Sequence, residues 1–231
     1  PDQQVCSGST VNMLANTPGL GSGTWTALNG GTISNASNPA ATITGLSIAG
    51  TYNFVWTLTN GSCVSRDTIR ITVDSLVVAN AGSDQQLCGV TTTNLAANAA
   101  TPGIGFWSTT SAAGITTLTD ENSGVTGLSP GVYTFVWTIT NGSCVSEDTV
   151  DVNVDSLESA IAGPDQTICS GSTLTMSATP ASLGIGLWTA LDGGTIANAN
   201  DAATTVTDLI TAGQYTFVWT IVNGTCISTD T

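Results

Sequence analysis

The sequence has no histidine and no lysine, and its two arginines, Arg66 and Arg70, stand against sixteen acidic residues for a formal net charge of −14. Phosphate recognition needs a basic surface, so nucleic acid is excluded as a partner. An anionic membrane is disfavoured on the same ground. Without histidine or lysine, a serine or cysteine nucleophile has no ordinary base. The acids recur at equivalent places (Asp67, Asp148 and Asp230; Asp74 and Asp155). Such periodicity suits structural positions better than a catalytic carboxylate pair, so no enzyme is expected. No Cys-x-x-Cys pair exists, which argues against zinc. No run of eighteen apolar residues exists, so no membrane insertion is expected. The chain opens on Pro1-Asp2 without an initiator methionine, which reads as a processed or excerpted chain.

What is present is a segment used three times. "FVWTLTNGSCVSRDT" at 54–68 returns as "FVWTITNGSCVSEDT" at 135–149 and "FVWTIVNGTCISTDT" at 217–231. Cys6, Cys88 and Cys169 are spaced by 82 and 81 residues, and Cys63, Cys144 and Cys226 by 81 and 82. Six tryptophans keep the same phase. A unit of about 80 residues is a whole small domain rather than a solenoid repeat. Three tandem domains are predicted, at 1–78, 79–159 and 160–231.

Each unit reads as all-β. Tyr52, Phe54, Trp56 and Leu58 alternate with polar or smaller residues, giving one buried face. Asn60-Gly61 is a hairpin signal, and a two-residue turn there pairs Leu58 with Cys63. Cys63, Ile69, Ile71 and Val73 then share the core face, while Thr68, Arg70 and Thr72 face solvent. Shorter strands carry Val11 and Met13, Trp25, and "ATITGL", with counterparts in the other units. Strands at this spacing, broken by Gly, Asn and Ser, predict a small β-sandwich. The tryptophans read as core.

Two cysteines per unit indicate an oxidising compartment and disulfides. The register favours bonds within each domain: Cys6–Cys63, Cys88–Cys144 and Cys169–Cys226. Each such loop contributes roughly 4 kcal/mol on loop entropy. Pairing across domains is the alternative, and requires a cysteine to leave a core face.

"GTYNFVWTLTNGSCVSRDTIRITVDS" and "GVYTFVWTITNGSCVSEDTVDVNVDS" resemble the PKD-like, immunoglobulin-like repeats of very long Bacteroidota surface proteins, including gliding adhesins of the SprB type and proteins exported by the type IX system. The likeness covers all three units, including "AGSDQQLC" and "AGPDQTIC" at repeat openings. It implies three immunoglobulin-like or PKD-like β-sandwiches with a cell-surface or fibre role. Asp-Thr-Ile, Asp-Thr-Val and the two Asp-Ser-Leu triplets look like the O-glycosylation pattern of that group, with Thr68, Ser75, Thr149 and Ser156 as acceptors. Asn-x-Ser/Thr also occurs at Asn35, Asn60, Asn141 and Asn223, three of them first of all turn residues.

Calcium is the remaining ion to weigh, because acids gather at the domain junctions: Asp74 and Asp84 at the first, Asp155, Glu158 and Asp165 at the second. Solvated charge and turn residues are the plainer reading, and no cofactor is expected. Asp67 falls on the core face, where a carboxylate accepting local hydrogen bonds at a sheet end is expected. The loop at 109–124 differs most between units and is the place for a domain-specific binding surface. The third unit ends five residues past Cys226, without an equivalent of residues 69–82. The expectation is an excerpt of a longer array; the alternative is a strand supplied by a neighbouring subunit.

Together these features predict an extracellular segment of a bacterial adhesin or filament, built of disulfide-stapled spacers. Its expected partners are neighbouring repeats or copies of itself, and surface glycans. The alternative is a carbohydrate- or surface-binding module that uses calcium.

Overall fold

The alternating runs fold as long hairpins, around which each repeat is built. A computed structural model describes residues 1–231, all strand, turn and loop. In repeat 1 the strands are β1 (Gln3–Cys6), β2 (Val11–Asn12), β3 (Ser22–Ala27), β4 (Thr32–Ile33), β5 (Thr42–Thr44), β6 (Gly50–Asn60) and β7 (Cys63–Asp74). Repeat 2 has β8 (Gln85–Cys88), β9 (Thr92–Asn94), β10 (Ile104–Thr109), β11 (Gly114–Ile115), β12 (Gly124–Thr126), β13 (Gly131–Asn141) and β14 (Cys144–Asp155). Repeat 3 has β15 (Leu174–Thr175), β16 (Ile185–Ala190), β17 (Thr195–Ile196), β18 (Thr205–Thr207), β19 (Phe217–Asn223) and β20 (Cys226–Asp230).

In repeat 1 a sheet of order β1-β7-β6-β3 packs on a smaller β2-β5-β4 sheet, and repeat 2 copies both. Each repeat holds its own core. Phe54, Trp56 and Ile71 belong to the first, Phe135, Trp137 and Val152 to the second, Phe217, Trp219 and Ile221 to the third. Side chains of this size each contribute about 1.5–3 kcal/mol when buried. In every core two tryptophans meet at 5.0–5.2 Å between ring centroids, tilted by 44–47°.

The tryptophan pair explains a recurrent glycine. Gly23, Gly105 and Gly186 lie across the ladder from the residue two past a tryptophan, and a Cβ at each would enter the indole of Trp56, Trp137 or Trp219. Gly105→Ala is therefore expected to overpack repeat 2 and cost it about 1–3 kcal/mol, read as a lower urea midpoint for that repeat. An unchanged midpoint would mean the ring has room to move.

The hairpin turn lies one residue later than the sequence predicts. Asn60 pairs with Cys63, Leu58 with Ser65 and Trp56 with Asp67. Gly61, at φ +60°, is thus the first of the two turn residues rather than the second. That arrangement puts glycine where a type II′ turn needs it. The shift moves each partner by two residues, so the faces stay as predicted.

The short strand ending at the first cysteine decides more. β1 runs parallel to β7 and brings Cys6 opposite Asp74, while β8 does the same along β14 and brings Cys88 opposite Asp155. The first cysteine of a repeat therefore lies at the far end of the strand that the second cysteine begins. Cys63 and Asp74 are the two ends of a 12-residue strand, roughly 36 Å apart at strand rise. A disulfide needs Cα atoms within about 7 Å. The pairs Cys6–Cys63, Cys88–Cys144 and Cys169–Cys226 expected within repeats are not formed. The bonds are Cys6–Cys144 and Cys88–Cys226, each joining one repeat to the next, and Cys63 and Cys169 are unpaired and exposed.

Candidate functional site at the repeat junctions

The sequence Asn-Gly-Ser-Cys places four different chemistries on one hairpin tip, and the junction of repeats 1 and 2 uses all four. Asn141 Nδ2 donates to the Ser75 carbonyl at 2.8 Å and to its hydroxyl at 3.0 Å. Gly142, at φ +56°, lies so close to the Asp74 carboxylate that a Cβ would collide with it. Ser143 donates its amide (2.7 Å) and its hydroxyl (2.8 Å) to Asp74 Oδ2. Cys144 is bonded to Cys6 with Cα atoms 4.8 Å apart. Asp74 also receives Gln4 Nε2 at 2.9 Å, so strand β1 and the tip of the next repeat share one carboxylate.

The second junction repeats the design. Asn223 Nδ2 donates to the Ser156 carbonyl at 2.9 Å, Gly224 lies against the Asp155 carboxylate, and Thr225 donates its amide (2.7 Å) and hydroxyl (3.0 Å) to Asp155 Oδ2. Cys226 is bonded to Cys88. Cys144 and Cys226 are 1% and 2% exposed, whereas Cys63, on the uncovered tip of repeat 1, is exposed.

Beyond each clasp, the linker runs along the last strand of the repeat it enters. Ala79 N donates to Ser146 Oγ at 3.0 Å, Ala81 N to Asp148 Oδ2 at 2.8 Å, and Asp151 N to Asp84 Oδ1 at 2.9 Å. In repeat 3, Ala160 N and Ala162 N donate to Ser228 Oγ and Asp230 Oδ2. Side-chain oxygens here replace the carbonyls of a regular ladder. This explains the acid on the core face: Asp148 and Asp230 are half-buried and satisfied by linker amides. Their counterpart Asp67 departs from the expectation, being exposed and accepting only from the Thr68 amide.

The other predicted residues separate into two groups. Thr68 and Thr149 are exposed on strands β7 and β14, while Ser75 and Ser156 are half-buried inside the clasps. Of the calcium candidates, Asp74 and Asp155 hold hairpin tips and Asp84 holds a strand amide. Asp165 is exposed in repeat 3. No group of three or more His, Cys, Asp or Glu side chains is disposed to hold a metal ion. Glu158 instead accepts the amides of Ser182 and Leu183 and the Ser182 hydroxyl. Within 109–124, Ser123 is buried and receives the Thr117 amide, and the Asp120 carbonyl accepts Trp107 Nε1. That loop is tied to its own core.

The Ser143 amide, then the Ser143 hydroxyl, then Gln4 hold the Asp74 carboxyl below its ordinary 3.8. The folded value lies under the unfolded one, so this contribution is present above about pH 4 and is lost as pH falls through the folded value. Measured as the ratio of rates for the unaltered protein and Asp74→Asn, so that protonation of the reductant itself cancels, reduction of Cys6–Cys144 by a phosphine is expected to quicken as pH falls from 6 to 3. Equal pH profiles for the two proteins would remove Asp74 from the junction's energetics.

No protein-family model matches the chain, and no curated protein matches it. Among solved structures it is similar to the N-terminal eight immunoglobulin domains of Down Syndrome Cell Adhesion Molecule, at 13% identity over 99% of this chain and 35% of that one, with TM-score 0.60. It is similar to extracellular domains 3–5 of Drosophila OTK, at 13% identity over 100% of this chain and 92% of that one, with TM-score 0.50. A PKD domain from KIAA 1837 protein aligns with 38% of this chain and 92% of its own length, at 26% identity and TM-score 0.31. The first two likenesses show the fold. The chain is three tandem immunoglobulin-like β-sandwiches, and its two disulfides suit an oxidising environment.

Proposed function

We propose that this chain is a segment of an extracellular bacterial surface adhesin or filament of the kind its repeats resemble, and that its work is to span distance and pass tension from repeat to repeat. The observation that carries this reading is the position of the disulfides. A bond within a domain stabilises that domain. A bond from Cys6 to Cys144 or from Cys88 to Cys226 ties one domain to the next. Each bond also lies beside a carboxylate clasp and a linker held along the following strand. Bending at the junction therefore breaks several directional contacts together.

Exposed Thr68 and Thr149 are the O-glycan acceptors in this reading; Ser75 and Ser156 are engaged in the clasps. A carbohydrate-binding module is the poorer reading, because all six tryptophans are buried and none forms a platform. The test is immunogold electron microscopy of the source cells with antibody to this chain. Label along surface filaments supports the proposal, and label confined to the cell interior overturns it.

A further inference from the structure

Each junction has two halves. One is a leading half: the cysteine that ends the first strand, plus the Asp-Ser and linker that leave the repeat. The other is a receiving half: the Asn-Gly-Ser/Thr-Cys tip and the sheet face the linker covers. Repeats 1–2 and 2–3 close two such pairs. One receiving half, in repeat 1, stays open. We propose that it is a docking site for a repeat of this same kind, whose first cysteine bonds Cys63.

Four observations in repeat 1 point to the same occupant. The tip Asn60-Gly61-Ser62-Cys63 is identical in sequence to Asn141-Gly142-Ser143-Cys144 but exposed throughout. Ser65 and Asp67 are exposed where Ser146 and Asp148 receive linker amides. Leu58 is partly buried where Ile139 and Ile221 are 1% and 3% exposed. Trp56 is 3% exposed, and its indole N–H is buried without a partner. Its counterparts donate at 3.2 Å to the carbonyls of Asn98 and Thr179. Those two residues are themselves fixed by the linkers: Asn98 N donates to Asn80 O, and Thr179 N to Ile161 O, both at 2.9 Å. A linker laid on repeat 1 would hold Asn16 in the same place and give Trp56 its acceptor.

Continuity with the two closed junctions defines the occupant: a repeat whose first strand ends in cysteine and whose last strand leads through Asp-Ser into a linker.

Closing the lock converts two thiols to one disulfide and releases two electrons and two protons. A protein or small-molecule disulfide accepts them by exchange and becomes two thiols. The proposal does not rest on the tension-carrying reading, which depends on the two closed bonds.

The test is disulfide mapping of the protein from its source, trapped with N-ethylmaleimide and digested without reduction. Cys63 is expected in a peptide pair with a cysteine that follows Asp-Gln-x-x. Maleimide on Cys63, a glutathione adduct, a bond within its own repeat, or a partner peptide lacking the motif would overturn the proposal. That result does not depend on where the source protein lies on the cell.

Discussion

Pulled from its two ends with both disulfides intact, the fully unfolded chain is expected to reach a contour of roughly 230 Å, against about 800 Å after reduction. The shortest covalent route explains the difference. It runs from Pro1 to Cys6, crosses to Cys144, returns along the chain to Cys88, crosses to Cys226 and ends at Thr231. Only about 66 residues lie on that route, at 3.3–3.6 Å each when extended. Single-molecule force spectroscopy reads the contour directly. Bonds within repeats would give a similar total, so variants decide between the schemes. Cys63→Ser is expected to leave the contour unchanged, because Cys63 is unpaired. A gain of roughly 200 Å, the loop that a Cys6–Cys63 bond would have hidden, would overturn the pairing. Cys144→Ser is expected to lengthen the contour to roughly 320 Å, since the route must then follow the chain from Pro1 to Cys88.

The repeat, its β class and the inward faces of the long hairpins were legible because they are local. Alternation over Tyr52 to Leu58 and over Ile69 to Val73 encodes which side of each strand is buried, and the structure keeps those faces. The turn was misplaced by one residue because Asn-Gly fits two registers, with glycine second or first of the two turn residues; the second register recurs in all three repeats, at the uncovered tip of repeat 1 as at the two clasped tips.

The disulfide pairing was not legible for a different reason: it is not local. The face of Cys63 follows from its own strand, but the height of Cys6 along the sandwich follows from β1 running parallel to β7, some seventy residues away. Nothing local to "DQQVC" states that direction. Asn-Gly-Ser read alone is a turn or a sequon, and Asp-Ser-Leu read alone is a glycan acceptor. Their complementarity appears only when Asp74 meets Ser143. The available signal was that both motifs recur with the same period as the cysteines, so neither belongs to one domain's idiosyncrasy.

Replacing Cys6 and Cys144 together by serine is expected to destabilise two repeats at once. With repeat 2 folded, Cys144 holds Cys6 beside the start of the linker, so unfolding repeat 1 frees only a closed loop of about 70 residues; the converse holds for repeat 2. Loop entropy for that length is about 4 kcal/mol, a third or more of what a domain of this size commonly has. For an 80-residue unit that corresponds to a fall of more than about 10 °C in midpoint. Repeat 3 should keep its stability, because its own bond, Cys88–Cys226, is untouched. The double change of Cys88 and Cys226 should instead weaken repeats 2 and 3 and spare repeat 1. Amide hydrogen exchange resolved by repeat separates these cases. A loss confined to one repeat in either variant would mean that the bond staples a domain rather than a junction. Loss in the adjoining pair alone means that each disulfide is shared property of two neighbours. An array so joined resists the unfolding of any one member for as long as the next one holds.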